Sequence, residues 1–415
     1  MEEGKDWKER NLMNKVEAYI EENWDLCIKE NHEDSGTLIG LPYPYTVPAV
    51  GYFDEMYYWD TYFMNKGLEI AGRYSQIKNN TDNMLYLVKK YGFMPNGNRT
   101  YYLGKSQPPF LSLMASDVYS YYKDKQWLKD AYETLKMEYN FWMSKRCSGI
   151  GLNFYDGLVW MNTSQNVAKD YFARVGYVPD INDDDIARHF MATCESGWDI
   201  SPRWGTDCYN YASVDLNSLL YLFENNMSFF AHELVIEEAE EWSKKAEVRK
   251  KLMLKYMEDE NSILRDYNFK NHTLSNIFSA ASFYPLFTKL ADKRHAKALV
   301  ERLELFETDY GILTCAQNES EGSYQWDYPN GWACLQYIAI IGLDNYGYKK
   351  DAKRIAHKFV ALVDKVFEEN GNIWEKYNVV DGSINVVNEY DMPAMMGWTA
   401  GVYLCARKYM EETIV

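Results

Sequence analysis

The stretch ESGWDISPRW at 195–204 places one acidic side chain among large apolar ones. Asp199 stands between Trp198 and Ile200, and Arg203 follows four residues later. A carboxyl group that indole rings partly remove from water has a raised pKa and can stay protonated near neutral pH. We therefore predict that Asp199 acts as a general acid. The alternative is a loop acid that pairs with Arg203 and has a structural role only.

Acidic residues beside aromatic ones recur along the chain. The dipeptide W-D occurs at 59–60, 198–199 and 326–327, and the stretch NIWEKYNVV at 372–380 contains Glu375. Two carboxyl groups in an aromatic cleft, one acting as acid and one as base, are the apparatus for cleaving a glycosidic bond. Aromatic rings also offer flat apolar platforms to sugar rings. The pattern therefore favours a carbohydrate-cleaving enzyme.

Motifs of other catalytic chemistries do not occur in the sequence. The six histidines form neither H-E-x-x-H nor H-x-H, so a zinc site has no support. The nucleophile motif G-x-S-x-G and the phosphate-binding motif G-x-x-x-x-G-K-[ST] are both absent. The seven cysteines are scattered and include no C-x-x-C pair, which is typical of buried thiols in a reducing compartment. We expect no metal and no other cofactor.

Composition and charge narrow the classes of partner. The 415 residues are 47% hydrophobic and 16% aromatic, which is enough for a large core and an aromatic cleft. A net charge of −17 argues against nucleic acid and against an anionic membrane surface as partners. The first residues, MEEGKDWKERNLMNK, are charged, and no apolar run reaches membrane-spanning length. We expect a cytoplasmic protein that binds a small carbohydrate and no membrane.

Helical periodicity covers most of the chain. In residues 6–31 the apolar side chains recur at the spacing of one helix face. Similar patterns occur in six further segments: 58–92, 109–146, 212–257, 274–304, 330–367 and 394–411. Breaks at Gly, Asn or Asp within these segments bring the expected number of helices to about a dozen.

Long loops alternate with short connections between the predicted helices. The long loops are rich in Gly, Pro, Asn, Asp and aromatic residues, and they cover 37–58, 93–110, 147–211, 308–330 and 369–393. Loops of this length in a compact domain are usually functional. A long loop after every second helix predicts a closed ring of helical hairpins with one loop-built face, which is an all-α (α/α)6 barrel. No linker divides the chain, so we predict a single domain over residues 1–415.

Several loop segments carry motifs of one known family. GYFDEMYYWDTY at 51–62 is similar to P-G-G-R-F-x-E-x-Y-x-W-D-x-Y, and QWDYPNGW at 325–332 matches Q-W-D-x-P-x-G-W. PNGNRTYYLGKSQPP at 95–109, ESGWDISPRW, and VDLNSLLY at 214–221 are similar to further segments of the same family. In order and content, these motifs resemble the trehalase family of glycoside hydrolases. The resemblance extends over residues 40–411.

The resemblance implies a fold, a reaction and two catalytic residues. Members of the family are (α/α)6 barrels that invert the anomeric centre of the sugar. The Asp of S-G-W-D, the family's general acid, corresponds to Asp199, and the Glu of E-K-Y, the general base, corresponds to Glu375. The acid protonates the leaving oxygen while the base activates a water on the opposite face of the sugar. The two carboxyl groups should then lie roughly 6.5–9.5 Å apart.

The resemblance also implies which residues hold the glucosyl unit. The family's sugar contacts correspond to Phe53, Trp59, Asp60, Asn96, Gln107, Trp326 and Glu389. The tryptophans would stack on sugar C–H groups, and the polar side chains would bond hydroxyls. Three further aromatic residues of the motifs are instead assigned to core packing: Tyr57, Tyr62 and Trp332.

Four more positions complete the predicted binding site. Asp327 belongs to the second signature and is grouped with the sugar contacts, while Tyr52 and Lys105 lie where the family contacts the leaving group. For Arg203 two roles stay open: it orients Asp199 within the binding site, or it caps the loop.

The chain departs from the family at the arginines that grip the second glucose. Tyr52 replaces one arginine and Lys105 replaces another, and the segment YVPDINDDD at 177–185 contains none. The family's Q-x-G-F-G-W-T-N-G has become MPAMMGWTAG at 392–401. We therefore expect an inverting hydrolase of a small α-glucoside whose leaving group is not glucose. The alternative is an α,α-trehalase.

Two other classes of protein have the same kind of barrel or cleft. An inverting phosphorylase would lack the base and would need cationic ligands for phosphate, whereas Glu375 is present and arginines are lost. A carbohydrate-binding protein without activity would not need both Asp199 and Glu375. Release of sugar in the absence of phosphate would separate the hydrolase from both.

Overall fold

Helices dominate the structure, a computed structural model that describes residues 14–157, 170, 172–176, 181–199, 201–388 and 390–411. The α-helices are α1 (Lys15–Asn23), α2 (Tyr58–Ile70), α3 (Tyr74–Tyr91), α4 (Leu111–Tyr122), α5 (Lys125–Lys145), α6 (Asp183–Ser196), α7 (Val214–Leu234), α8 (Ala239–Tyr256), α9 (Tyr284–Phe287), α10 (Lys293–Val300), α11 (Ala333–Asn345), α12 (Lys349–Asn370) and α13 (Gly397–Glu411). Not one of these helices is both long and apolar enough to cross a membrane.

Six helices form a closed inner ring. Helix α2 packs against α4, α4 against α7, α7 against α9, α9 against α11, α11 against α13, and α13 returns to α2. Helices α3, α5, α8 and α12 pack on the outside of this ring, each against the inner helix that precedes it in the chain. The predicted (α/α)6 barrel is confirmed.

Burial differs between the inner and outer helices, as their sequences require. Helix α11, ACLQYIAIIGLDN, is apolar around most of its circumference and is buried almost throughout. Helix α12 carries one apolar stripe, including Ile355, Phe359 and Val363, and turns its charged side chains outward. The ring closes where α2 meets α13 at Gly67 and Gly401, because a Cβ at either position would overlap the backbone of the other helix.

Short antiparallel strands tie the loops together. The strands are β1 (Ile28–Lys29), β2 (Tyr45–Thr46), β3 (Tyr211–Ala212), β4 (Tyr267–Asn268), β5 (Thr273–Leu274), β6 (Asn330–Trp332) and β7 (Lys376–Asn378). β1 pairs with β2, β4 lies between β3 and β5, and β6 pairs with β7. In the last pair Trp332 lies opposite Lys376, which joins the loop before α11 to the loop before α13.

Three of the predicted helical segments are shorter than their periodicity suggested. The pattern at 6–31 gives a helix only from Lys15 to Asn23, followed by a 3-10 turn, and residues 1–13 lie outside the described part. Segment 274–304 is broken because Pro285 belongs to the first turn of α9 and Asp292 caps α10. Segment 330–367 begins with strand β6, since its first residues pair with β7.

Candidate active site

The loops at the N-terminal ends of the inner helices surround one cavity of about 210 Å³. Segments from five stretches of the chain meet there, because the ring brings these helix ends together. The predicted site residues that line it are Phe53, Trp59, Asp60, Asn96, Lys105, Gln107, Asp199, Trp326 and Glu375. The two predicted catalytic residues therefore share one cavity although they are far apart in the sequence.

Glu375 is held by donors from its own loop and from α13. Lys376 Nζ lies 2.7 Å from Oε2 of Glu375, and the hydroxyl of Tyr390 donates to Oε1. The indole N–H of Trp398, in the first turn of α13, donates to the backbone carbonyl of Glu375 at 3.0 Å. The carboxylate is 3% exposed, so these contacts replace its hydration.

The segment that leads into Asp199 is anchored at two points. Gly197 has a φ of +73°, and a Cβ there would come within 2.7 Å of Trp59, so only glycine lets the chain pass this close to the indole. On the helix side, the buried Glu195 accepts from Arg146 Nε at 2.7 Å and from the backbone N–H of Ser106 at 2.8 Å. These bonds join the end of α6 to the loop that carries Gln107.

Asp60 at the start of α2 is a third carboxyl group in the cavity. Its pKa is raised to about 8, chiefly because burial removes its charge from water, while its own backbone N–H opposes the rise and the charges of Glu375 and Asp199 add to it. At neutral pH Asp60 is therefore mostly protonated. In that state it can donate one hydrogen bond to a sugar hydroxyl and accept another.

Tryptophans form the floor of the cavity. The rings of Trp326 and Trp332 stack with centroids 3.7 Å apart, and Trp59 lies 5.6 Å from Trp326. Trp398 stands perpendicular to Trp332, at 5.6 Å and 90°. Trp332 is thus both packed and part of the lining, so its assignment to core packing was incomplete.

Tyr57 and Tyr62 differ in their positions. Tyr57 lines the cavity, contrary to the assignment to the core, and its hydroxyl lies 2.7 Å from that of Tyr102 and 2.9 Å from Glu55. Burial raises the pKa of the Tyr57 hydroxyl. Tyr62 does pack in the core, where its ring stacks on Phe110 at 4.6 Å.

Lys105 is the one cation among the described residues that line the cavity. Its ammonium lies 5.3 Å from the ring of Tyr102, and no ion pair with a carboxylate of the described chain is formed. An aromatic ring and an ammonium therefore stand together on this side of the cavity. Both residues line the cavity and can contact a ligand.

Arg203 does not line the cavity. Its guanidinium is fully buried and binds two carboxylates, with Nη2 at 2.8 Å from Asp215 and Nε at 2.6 Å from Asp266. Asp266 also accepts from the backbone N–H of Val214 at 2.8 Å. The grouping of Arg203 with the substrate-binding residues was therefore wrong, because its donors are used to fix the start of α7.

We expect Arg203→Met to lower the free energy of unfolding by about 3–5 kcal/mol, because two buried carboxylates lose their cation. Urea denaturation measures the change. The matched control is Arg188→Met, since Arg188 pairs with Asp156 but is 43% exposed, and it should lose only about 0–1 kcal/mol. Similar losses in both variants would contradict the structural role of Arg203.

Two other predicted positions lie outside the lining, and a third does not belong to the described residues. Asp327 is turned into its own loop, where it accepts from Asn318 at 2.8 Å and from Ser320 at 3.2 Å, so its placement among the sugar contacts was wrong. Tyr52 is 51% exposed and stacks on Tyr390 at 5.9 Å, beside the cavity rather than in it. Glu389 lies outside the described residues.

Several lining residues were not predicted from the sequence. They are Pro48, Tyr102, Gly197, Gln325, Tyr390, Met396 and Trp398. Three of the seven, Tyr102, Gly197 and Gln325, stand within the motifs that carried the resemblance. Gln325, for example, precedes Trp326 and donates to the backbone carbonyl of Asp199 at 3.3 Å. For these three residues, position within a motif was the signal that could have found them.

The described residues do not meet the requirements of a metal site. Within the described residues, no group of three or more His, Cys, Asp or Glu side chains is arranged to hold a metal ion. Within the cavity, the Glu375 carboxylate is bound by Lys376 and Tyr390, and the Asp60 carboxyl group by its own backbone N–H.

Comparison with known proteins decides the family. A family model described as Trehalase matches residues 2–411. The chain belongs to the trehalase family. It is accordingly a glycoside hydrolase that acts on a carbohydrate.

Relatives of this trehalase-family protein share its sequence over nearly the whole chain. A periplasmic trehalase from Xanthomonas axonopodis pv. citri (strain 306) is 32% identical over 424 residues, which cover 94% of this chain and 72% of that protein. The structure of neutral trehalase Nth1 from Saccharomyces cerevisiae superposes with a TM-score of 0.78 at 29% identity, covering 97% of this chain and 80% of that one. The family assignment thus agrees with both sequence and structure.

More distant structures share the fold alone. A GH63 mannosylglycerate hydrolase from Thermus thermophilus, in complex with Tris and D-glycerate, superposes with a TM-score of 0.64. Its sequence is 17% identical, and the match covers 94% of this chain and 99% of that one. Helical barrels of this type therefore occur with different substrates on the same architecture.

Proposed function

We propose that this protein hydrolyses the glycosidic bond of a small α-glucoside with inversion at the anomeric carbon. Asp199 is the general acid and Glu375 is the general base. The observation that supports this assignment is that both carboxyl groups line one cavity together with Asp60 and a floor of tryptophans. A sugar ring can stack on this floor while its reacting carbon lies between acid and base.

The reaction needs two proton transfers. The carboxyl proton of Asp199 passes to the glycosidic oxygen as the bond from that oxygen to the anomeric carbon breaks. A water molecule forms the new bond from the opposite face and gives its proton to Glu375. An α-glucoside therefore yields β-glucose first. Asp60, Asn96 and Gln107 line the same cavity and can bond the hydroxyls of the glucosyl unit.

The leaving group is proposed to be something other than glucose. In the described lining the only cation is Lys105, and no arginine is present. Four arginines in or near the described loops are already paired with carboxylates: Arg99 with Glu55, Arg146 with Glu195, Arg188 with Asp156, and Arg203 with Asp215 and Asp266. Arginine offers several donors in a rigid fork, which tyrosine and lysine do not reproduce.

Trehalose is the second candidate substrate. The proteins that are 32% and 29% identical to this chain are named trehalases, and they match it over 94% and 97% of its length. This similarity favours an α,α-trehalase if other residues replace the missing arginines. The two candidates share the same catalytic pair and differ only in the leaving-group side of the cavity.

A substrate screen distinguishes the two candidates. We expect kcat/KM for trehalose to be lower than for at least one other compound among kojibiose, sucrose, maltose and glucosides of small polyols. Each lost hydroxyl partner costs about 1–3 kcal/mol. The double variant Tyr52→Arg, Lys105→Arg restores two arginines and should raise kcat/KM for trehalose. A wild-type kcat/KM for trehalose equal to or above all others would establish the trehalase alternative.

A cytoplasmic location stays a proposal that rests on composition. Among the described residues none of the seven cysteines is joined in a disulfide, as is common in a reducing compartment. The relative from Xanthomonas is named a periplasmic trehalase, which favours the opposite location.

A further inference from the structure

Lys376 is a fully buried cation beside the proposed base. It opens strand β7, directly opposite Trp332 of β6, and its ammonium lies 4.7 Å from the centre of the Trp332 ring. Its side chain is 0% exposed. Among the described residues, Glu375 is the one carboxylate that forms an ion pair with it, at 2.7 Å. Burying an ammonium in this way is costly unless the partner carboxylate is ionised.

The cavity around this pair is rich in acidic groups. Besides burial, the carboxylates of Glu375 and Asp199 contribute to the raised pKa of Asp60. Asp60 and Glu375 likewise contribute to the raised pKa of the buried thiol of Cys334, at the start of α11. Tyr390 contributes a hydroxyl on the other side of the Glu375 carboxylate. A general base must be unprotonated to take a proton from water, and an adjacent cation favours that ionised form. Lys376 is the cation that contacts the Glu375 carboxylate.

The hydrogen bonds distinguish the two oxygens of Glu375. Oε2 accepts from Lys376, and Oε1 accepts from the hydroxyl of Tyr390. A carboxylate oxygen has more than one acceptor position, so Oε1 can still accept a proton from water. We propose that Lys376 is a positioning residue for the base: its ammonium holds Oε2, so that Glu375 stays ionised and presents Oε1 to the attacking water. This inference rests on the proposed role of Glu375.

The dependence of kcat/KM on pH tests the proposal with Lys376→Met and Lys376→Arg. In Lys376→Met the carboxylate loses its cation, so the acidic limb of the profile should move to higher pH by about one unit or more. At neutral pH kcat should fall about tenfold or more, while KM changes little. Lys376→Arg keeps the charge and should keep the limb at its wild-type position. A Lys376→Met profile with an unmoved limb would overturn the proposal.

Two controls separate positioning from loss of structure. Lys66→Met removes another poorly exposed lysine, which pairs with Asp117 at 2.8 Å outside the cavity, and it should leave the limb in place. If Lys376→Met does not fold because a carboxylate is left unpaired, the double variant Glu375→Gln, Lys376→Met removes both charges. It should have the same residual activity as Glu375→Gln, and a further tenfold loss would contradict action through Glu375.

The same variants show which proposal fails. If Glu375→Gln hydrolyses α-glucosides at the wild-type rate, the proposed base is wrong. If Glu375→Gln is inactive but the acidic limb of Lys376→Met is unmoved, the base stands and only the role of Lys376 is wrong.

Discussion

Asp199→Asn should slow the hydrolysis of α-glucosides with poor leaving groups by about 10²–10⁴-fold, because an amide has no proton to give the departing oxygen. Substrate binding should be retained, since Asn has nearly the same shape as Asp. Initial rates on an alkyl glucoside and on α-glucosyl fluoride measure the difference. Fluoride leaves without protonation, so turnover of the fluoride should be affected much less than that of the alkyl glucoside.

An exposed acid serves as the control for Asp199. Asp309 is exposed and lies outside the cavity, so Asp309→Asn should keep wild-type rates on both substrates. Equal losses on the alkyl glucoside and the fluoride in Asp199→Asn would show that Asp199 is not the proton donor. Its contribution would then be to binding or to the shape of the cavity.

Glu375→Gln should slow the hydrolysis of every substrate, whatever its leaving group, because water is no longer activated. The expected loss in kcat is about 10²–10⁴-fold. Azide, which needs no base to react as a nucleophile, should restore part of the turnover of α-glucosyl fluoride and give a β-glucosyl azide. The exposed Glu369, on helix α12, provides the control, and Glu369→Gln should be fully active.

Proton NMR of the wild-type reaction tests the geometry behind this second prediction. β-Glucose should form first from an α-glucoside and then mutarotate. If α-glucose forms first, the reaction retains configuration and Glu375 acts as a nucleophile, or not at all. The predicted carboxyl separation of roughly 6.5–9.5 Å belongs to the inverting case.

Much of the fold could be predicted from the sequence, because the patterns that encode it are local. The stripe of α12 and the nearly uniform apolar character of α11 indicate an outer and an inner helix before any contact is known. Alternation of long and short loops indicates hairpins in a ring. The predicted segments failed at 274–304, where a proline and a capping Asp broke the helix, and at 330–332, where residues joined a strand. Such pairing depends on a partner distant in sequence.

The motif residues themselves also came from the sequence alone. The types and spacing around Asp199 and Glu375 indicated an acid, a base and aromatic sugar platforms, and the order of the motifs indicated the family. These motifs consist of residues that are close together in the sequence, so they can be recognised without coordinates.

Only the tertiary structure decided which polar groups bind each other. Arg203 follows Asp199 closely in sequence, yet its guanidinium is taken by Asp266, which lies on a different loop. Asp327 follows a cavity tryptophan and still turns into its own loop, while Lys376 is buried opposite Trp332 because β7 pairs with β6. The physical reason is that a buried charge must be matched by whichever donors and carboxylates the packed helices bring within reach. The sequence shows which charged and polar groups are present, but the distances between them are determined only when the helices pack into the closed ring.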